Sequence, residues 1–345
     1  MSHPASDLFL RGLWYVAAAS RDVGQGKAIH RTLLGEPVLI GRDTAGTVFA
    51  LRDTCPHRGT LLSRGTFDGS EVECPYHGWR FATDGQCTAI PSQRDGQKPQ
   101  AADIRTGTYT VQESQGVIWV FIGDDAGPKP EVPRVPFDGA PQLHLMQTFH
   151  CDIDLAVTGL MDPAHGAFVH ASPVWRGHRD VRQKEKAFSP VPLGWRMDRH
   201  TASGNARAYR LFLGGAPETE ITYTLPGIRI EHAATAKYTY CGLTACTPVD
   251  ANTTAVHHMM YWDVPGGPLT RAVVRLAARR FLGQDAAAVE DMRDGLAFEP
   301  GTMLVQDADT QIRWYYRLKE AWRAAQADGE PFVNPIEPVV LRWNS

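Results

Sequence analysis

Cys55-Pro-His-Arg-Gly and Cys74-Pro-Tyr-His-Gly-Trp are the two stretches of this sequence that decide its fold, and sixteen residues lie between His57 and Cys74. Each stretch combines a thiol and an imidazole in one short loop. Soft thiolate and imidazole ligands suit zinc or an iron–sulfur cluster, so the two loops predict a shared metal site. The order Cys-x-His, in place of a Cys-x-x-Cys pair, disfavours a structural zinc ribbon.

The two loops resemble the Rieske [2Fe–2S] motif, in which two cysteines hold one iron and two histidines hold the other. The resemblance implies that the cluster ligands are Cys55, His57, Cys74 and His77. Respiratory-chain members carry an additional cysteine in each loop, and the two are joined as a disulfide. Here Thr60 and Tyr76 stand at those places. The chain is therefore more similar to the ferredoxin and oxygenase branch.

Length and composition fit a large enzyme. The chain has 345 residues, 43% hydrophobic and 21% charged, and a formal net charge of −3. This length suits one large or two ordinary domains, and the ordinary charge does not favour nucleic acid or a membrane as partner. No apolar run reaches the ~20 residues of a transmembrane helix, and the first residues lack the basic start of a signal peptide. We expect a cytoplasmic enzyme.

Sequence patterns divide the chain into three parts, and the predicted fold class is α+β. Residues 1–123 read as short strands rich in β-branched and aromatic residues, which predicts an all-β Rieske domain. Residues 124–141 form a Pro-rich linker, because so many prolines exclude a helix or a central strand. Residues 142–345 combine helical spacing with strands, and Ala208–Leu213 is predicted to be one of those strands.

The first helix of the second part carries a candidate metal motif. Asp162 and His165 are three residues apart on one helical face, and Pro163 should break the helix so that His170 can turn toward the same point. The opposite face is expected to enter the core through Ile153, Val157, Leu160, Met161, Ala164 and Phe168.

Behind a Rieske motif, Asp-x-x-His-x4-His resembles the mononuclear iron motif of the Rieske non-haem iron oxygenases. Their catalytic domain is a helix-grip fold over an antiparallel sheet, and the resemblance then covers essentially the whole chain. It implies that His165 and His170 bind iron. Gly159 stands where many members carry Asn or Glu, so a polar contact from that position is not expected.

The family takes a third, anionic ligand from a late helix, in a stretch similar to residues 281–290. Asp285 is the predicted ligand, because it shares an inward apolar stripe with Phe281, Val289 and Met292. Two histidines and one carboxylate form a facial triad that leaves positions open for O₂. Glu290 falls off the stripe and is the alternative ligand, and an N-cap role for Asp285 is the alternative function.

Together the two centres imply an oxygenase, because a Rieske cluster delivers single electrons and a facial-triad iron activates O₂. The chain has no Gly-x-Gly-x-x-Gly fingerprint and no phosphate-binding loop. Electrons from NAD(P)H are therefore expected from a separate reductase, with or without a ferredoxin. Arg58, Arg64 and Arg80 flank the cluster loops and are candidates for docking an acidic partner, or else ordinary surface arginines.

The short chain is more similar to the vanillate O-demethylase and toluenesulfonate methyl-monooxygenase group than to ring-dihydroxylating dioxygenases. That resemblance implies a homotrimer that hydroxylates or oxidatively demethylates a hydrophobic aromatic or alicyclic molecule. Ring cis-dihydroxylation, steroid-type hydroxylation, a pure Rieske electron carrier and a zinc-stabilised binding module are the alternatives. The resemblance also implies that Asp162 ligates nothing and bridges His165 to His77 of a neighbouring subunit, with helix capping as the alternative.

Overall fold

A computed structural model describes residues 8–94, 96–170, 181–201 and 207–345. The chain divides into two compact units: Arg11–Arg134, and Val135–Ser345 together with residues 8–10. The division falls inside the Pro-rich segment 124–141, which contains neither helix nor strand. Residues 8–10 thus group with the second unit, whereas the sequence pattern predicted that they belong to the first domain. Within the described residues, no helix is long and apolar enough to cross a membrane.

The unit Arg11–Arg134 consists of three small antiparallel sheets, with strand orders β1-β10-β9, β2-β3-β4 and β5-β6-β7-β8. Short β-branched and aromatic runs form these strands, as the sequence predicts. The strands are β1 (Leu13–Ala19), β2 (Lys27–Leu33), β3 (Glu36–Arg42), β4 (Val48–Arg52), β5 (Thr66–Phe67), β6 (Glu71–Glu73), β7 (Arg80–Ala82), β8 (Cys87–Ala89), β9 (Val111–Ser114) and β10 (Val117–Ile122).

A hydrophobic cluster under the Cys–His loops joins two of these sheets. One loop follows β4 and the other connects β6 to β7. Their cysteines are part of the buried cluster, whose members are Leu39, Phe49, Leu51, Cys55, Leu62, Val72, Cys74, Phe81 and Cys87. The loops are therefore anchored by their cysteines in a packed core, which limits how far the remaining loop residues can move.

The second unit is built on one eight-stranded antiparallel sheet, with strand order β11-β17-β16-β15-β14-β13-β12-β18. The strands are β11 (Leu143–Phe149), β12 (Gln183–Val191), β13 (Gly194–Thr201), β14 (Glu218–Thr224), β15 (Ile228–Ala234), β16 (Thr239–Asp250), β17 (Thr253–Trp262) and β18 (Val339–Asn344). The last strand, which the sequence analysis did not predict, pairs with β12.

Five helices accompany this sheet: α1 (Ile153–Met161), α2 (Gly166–Val169), α3 (Arg207–Leu213), α4 (Gly267–Leu296) and α5 (Thr310–Asp328). Helix α1 packs on β16 and β17, α4 packs on β11, and α1 contacts both α4 and α5. An antiparallel sheet with helices on one face follows the all-β unit along the chain. The predicted α+β fold class is confirmed.

Two local predictions were wrong. Ala208–Leu213 lies in helix α3 and is not a strand. The ring of Tyr209 contacts that of Tyr240 with centroids 5.6 Å apart, and the ring of Phe212 contacts that of Trp262 with centroids 5.9 Å apart. Residues three apart share a face in a helix but not in a strand, so both contacts require a helix here. Phe168 is 55% exposed and does not enter the core. The break at Pro163 starts a new helix whose apolar positions no longer continue the stripe of α1.

Candidate metal centres

The two Cys–His loops have the same backbone fold. In the first loop the Cys55 amide donates to the Thr60 carbonyl at 2.8 Å, and the Gly59 amide donates to the Cys55 carbonyl at 2.9 Å. The second loop has the same two bonds at the same spacing. The Cys74 amide donates to the Trp79 carbonyl five residues on, and the Gly78 amide donates to the Cys74 carbonyl four residues back. Gly59 and Gly78 have φ of 76° and 70°, values that favour glycine and explain its place in both motifs.

The four predicted ligands divide by burial, with both thiols inside and both imidazoles toward solvent. Cys55 and Cys74 are each 2% exposed, while the rings of His57 and His77 lie 4.7 Å apart at the surface. Burial, helped by neighbouring Cys74, raises the pKa of the Cys55 thiol to about 11. The thiolate form that ligates metal is therefore stable here only with a cation beside it.

Trp79 lies against the imidazole of His57. Its ring stacks on His57 with centroids 4.6 Å apart and planes 3° from parallel. Its Nε1 is buried without a hydrogen-bond partner among the described residues. Two buried thiols and two outer imidazoles are the ligands of a Rieske [2Fe–2S] cluster, and a buried N–H without a partner suits a site whose cluster sulfurs accept hydrogen bonds, so the donor set fits that cluster.

Asp53 closes the base of the first loop, a role that sequence reasoning missed. Its carboxylate is fully buried and accepts hydrogen bonds from the Ser63 amide and hydroxyl at 2.6 and 2.5 Å. His30 Nδ1 lies 2.6 Å from its second oxygen. The only feature of the sequence that could have indicated this role is an acidic residue two positions before Cys55. A charged residue at the end of an apolar strand is normally expected to be exposed to solvent, so its burial could not be predicted without knowing its partners.

The second candidate centre forms where helix α1 ends. Asp162 leaves the helix with φ −59° and ψ 120°, because the residue before a proline is pushed out of the helical region. His165 and His170 then flank the short helix α2. Asp285 comes from the middle of α4, so the N-cap alternative for this residue does not apply.

The donor atoms of His165, His170 and Asp285 converge. The two Nε2 atoms are 3.1 Å apart, and Asp285 Oδ1 lies 3.4 Å from Nε2 of His165 and 3.0 Å from Nε2 of His170. An ion about 2.1 Å from two donors at right angles would hold them about 3.0 Å apart, so this triangle fits one face of an octahedral metal site. Among the described residues, it is the group of three such donors found within metal-binding distance.

Electrostatics at this triangle favour a cation. Burial alone would lower the pKa of His165, but Asp162 and Asp285 outweigh it and raise that pKa to about 9. Burial alone would raise the pKa of Asp285, but His165 and His170 outweigh it, and the pKa is lowered. Positive charge between these groups is thus stabilised, whether a proton or a metal ion supplies it.

Two further side chains hold His170, and neither was predicted in that role. Gln284 Oε1 lies 3.2 Å from His170 Nδ1, on the ring side away from the triangle. Phe281 stacks on the same imidazole, with ring centroids 3.6 Å apart. Neighbours of this kind fix the orientation and tautomer of a metal-binding histidine. Adjacency to Asp285 on helix α4 was the only sequence signal for Gln284.

Asp162 lies beside the triangle without being part of it. Its Oδ2 is 3.7 Å from Nδ1 of His165, longer than a hydrogen bond, and its Oδ1 accepts from the Ala164 amide at 2.7 Å. Glu290, the alternative third ligand, accepts from the His150 amide at 3.1 Å. Met292 was predicted to lie on the inward stripe of α4 but is 43% exposed, so that stripe ends at Val289.

Comparison with known proteins gives two family matches. Residues 13–111 match the Rieske [2Fe–2S] domain. Residues 149–324, just over half of the chain, match the vanillate O-demethylase oxygenase C-terminal domain.

Individual relatives agree with these families. The oxygenase component of chloroacetanilide N-alkylformylase from Rhizorhabdus wittichii is 34% identical over 199 residues, covering 55% of this chain and 53% of the relative. The iron–sulfur subunit of toluene-4-sulfonate monooxygenase from Comamonas testosteroni is 36% identical over 167 residues, covering 47% of each. The matches thus span about half the length of these curated relatives.

The fold is also found in a solved structure. Dicamba monooxygenase bound to dicamba is similar with a TM-score of 0.78 and 22% identity, covering 93% of this chain and 99% of that one.

Proposed function

This chain belongs to the Rieske non-haem iron oxygenases, in the group with a vanillate O-demethylase type C-terminal domain, and we propose that it is the terminal component of a multicomponent monooxygenase. Its substrate would be a hydrophobic aromatic or alicyclic molecule, hydroxylated or oxidatively demethylated. Electrons would come from a separate NAD(P)H-dependent reductase, with or without a ferredoxin. The triangle of His165, His170 and Asp285 carries this proposal, because an electron carrier has no use for it.

The cofactors of the family are a Rieske [2Fe–2S] cluster and a mononuclear iron. We assign the cluster to Cys55, His57, Cys74 and His77, and the mononuclear iron to His165, His170 and Asp285. When bound, the cluster supplies single electrons and the iron supplies the centre at which O₂ is reduced. The protein's part is to hold three donors on one side of the metal, which leaves the other side for O₂ and substrate.

Asp162 is proposed as the link between centres of neighbouring subunits in a homotrimer. The Asp162 side chain lies beside His165 and is 28% exposed. A carboxylate oxygen is therefore available to a second partner. That partner would be His77 of the neighbouring copy. The domain assignment of 1–123, 124–141 and 142–345 is part of the same proposal, although residues 8–10 group with the second unit in the fold.

Purified protein tests the function directly. We expect three iron atoms per chain, a [2Fe–2S] absorption spectrum, and O₂ consumption that requires both reductase and an added substrate. One metal centre alone, or O₂ consumption that no methoxylated, methylated or steroidal compound stimulates, would contradict the proposal. The Glu290→Ala protein is a suitable control, because its carboxylate bonds a backbone amide outside the triangle.

A further inference from the structure

A row of polar side chains crosses the helix-covered face of the large sheet. Strand register places Tyr223, Arg229, Thr244 and His258 side by side on β14, β15, β16 and β17. Side chains directly opposite one another in a sheet share a face, so these four form one line. Leu145 of β11 extends the row at the edge on which α4, the helix that carries Asp285, packs.

Charges within this row are already compensated. Arg229 Nη1 lies 2.8 Å from a carboxylate oxygen of Glu231, two residues along the same strand, and Arg229 Nε donates to the Tyr223 hydroxyl at 3.1 Å. The Tyr209 hydroxyl donates to the other oxygen of Glu231 at 2.9 Å. The guanidinium and the carboxylate therefore form a neutral pair with its own hydrogen bonds.

At the other end of the row, His258 is neutral and oriented. Its Nδ1 lies 2.8 Å from the Thr244 hydroxyl. Burial, and then the nearby positive charge of Arg229, lower the pKa of His258 to about 4. We assign the Thr244 hydroxyl as the donor of this bond, which puts the proton of the neutral ring on Nε2 and gives the ring one N–H donor.

A small cavity touches three side chains of the row. Arg229 keeps 23% side-chain exposure although it lies on the covered face. Tyr223, Arg229 and Thr244 line a cavity together with Leu160 and Met161, the last turn of α1 before Asp162. The cavity volume is about 20 Å³, which is room for about one water molecule and not for a ring.

We propose that this row recognises the polar group of the substrate, and that it selects an uncharged group with a hydrogen-bond acceptor over a carboxylate or sulfonate. A carbonyl, amide or ether oxygen would accept from His258 Nε2. The inference rests on the proposed function, because it takes the second unit as the substrate-binding unit.

The selection follows from the cost of an unpaired buried charge. A carboxylate brought to the row would find Arg229 neutralised by Glu231 and His258 hard to protonate, so no positive charge would balance it. An uncharged acceptor loses only weak hydration and gains one hydrogen bond. Glu231 is thus the residue that determines specificity, although we expect it to bind no substrate itself.

Binding of a matched pair of probes tests this inference. Calorimetric titration of the iron-loaded, oxidised protein with 4-methoxybenzamide and 4-methoxybenzoate compares two compounds of nearly equal shape that differ in charge. We expect the benzamide to bind at least about tenfold more tightly. Glu231→Gln keeps the size of the side chain but frees the charge of Arg229, so the affinity ratio should move by at least about tenfold toward the benzoate.

Glu220→Gln is the matched control. Glu220 precedes Ile221 on β14, its side chain lies on the opposite face of the sheet, and its weak ion pair with Arg196 is 4.0 Å long. The ratio in this variant should equal that of the wild type. If Glu231→Gln does not fold, His258→Leu serves instead, and it should weaken benzamide binding by about tenfold.

Tighter binding of the benzoate by the wild type, an unchanged ratio in a folded Glu231→Gln protein, unchanged benzamide affinity in His258→Leu, or no binding of either probe would overturn the inference. If the protein still holds three irons per chain and consumes O₂ with some added substrate, the proposed function stands and only the specificity is wrong. If the second iron is missing, the proposed function fails first.

Discussion

The two nitrogens of the His170 imidazole face different partners. Nε2 lies near His165 and Asp285, whereas Nδ1 is 3.2 Å from Gln284 Oε1. Because an amide oxygen only accepts, the proton belongs on Nδ1, and Nε2 directs its lone pair into the triangle. At the scale of single residues, the tautomer in which His170 can bind a metal therefore depends on Gln284, a side chain that is not itself a metal ligand.

Gln284→Leu should weaken binding of the mononuclear iron by about 10- to 100-fold while the cluster spectrum stays unchanged. The variant removes the acceptor that fixes the His170 tautomer. Chelator competition measures the affinity. Gln326→Leu, on the exposed face of α5, makes the same change elsewhere and should have no effect. Equal iron affinity in the two variants would show that Gln284 does not orient His170.

His165→Ala, His170→Ala and Asp285→Ala should each retain the cluster and lose the second iron, so that iron falls from three atoms per chain to two. Removing one donor of a three-donor site leaves too few ligands to hold the ion. Metal analysis and the cluster spectrum together measure this. Retention of iron in Asp285→Ala, combined with loss in Glu290→Ala, would move the third ligand to Glu290.

At the scale of elements, the centre depends on how closely helices α1 and α4 approach. A Cβ atom at Gly159 would lie 2.5 Å from Cγ2 of Val289 on α4. A side chain at this position is therefore excluded while the helices keep their spacing. This explains the departure from the family at Gly159: the position serves the packing of α1 on α4, and α4 carries Asp285 one turn before Val289.

Gly159→Ala should destabilise the protein by about 1–3 kcal/mol, because the added methyl forces α1 and α4 apart. The iron affinity should fall as well, since α1 leads into His165 and α4 carries Asp285. Urea unfolding and chelator competition measure the two effects. Gly295→Ala, also on a helix but with open space at its Cβ, should be neutral or stabilising. Equal stabilities of the two variants would contradict a packing role.

At the scale of the whole molecule, the proposed assembly is a homotrimer in which Asp162 carries electron transfer between subunits. Asp162→Asn should keep the trimer, both metals and a cluster that the reductase still reduces. Single-turnover transfer from the cluster to the second iron should slow severely, because the amide cannot replace the charged bridge between two histidines. Rapid-mixing spectroscopy measures the rate. Wild-type rates would refute the bridge, and a monomeric wild-type protein would refute the assembly.

Sequence alone determined the family, the α+β class and the proposed ligands Cys55, His57, Cys74 and His77. These four lie in two short loops, so their chemistry is readable from spacing that no tertiary contact changes. The same is true of the Asp162-x-x-His165 motif and its break at the following proline. Local backbone preference and local ligand spacing act over a few residues, and a sequence displays both.

Only the tertiary structure decided the contacts between residues far apart in the chain. Gln284 meets His170 across 114 positions, and His258 lies in one row with Arg229 because three strands pair in register. Helix α3 formed where a strand was predicted, since ring contacts with β16 and β17 outweigh its short apolar run. Such partners depend on which strands pair and which faces are covered, and these follow from the packing of the whole core.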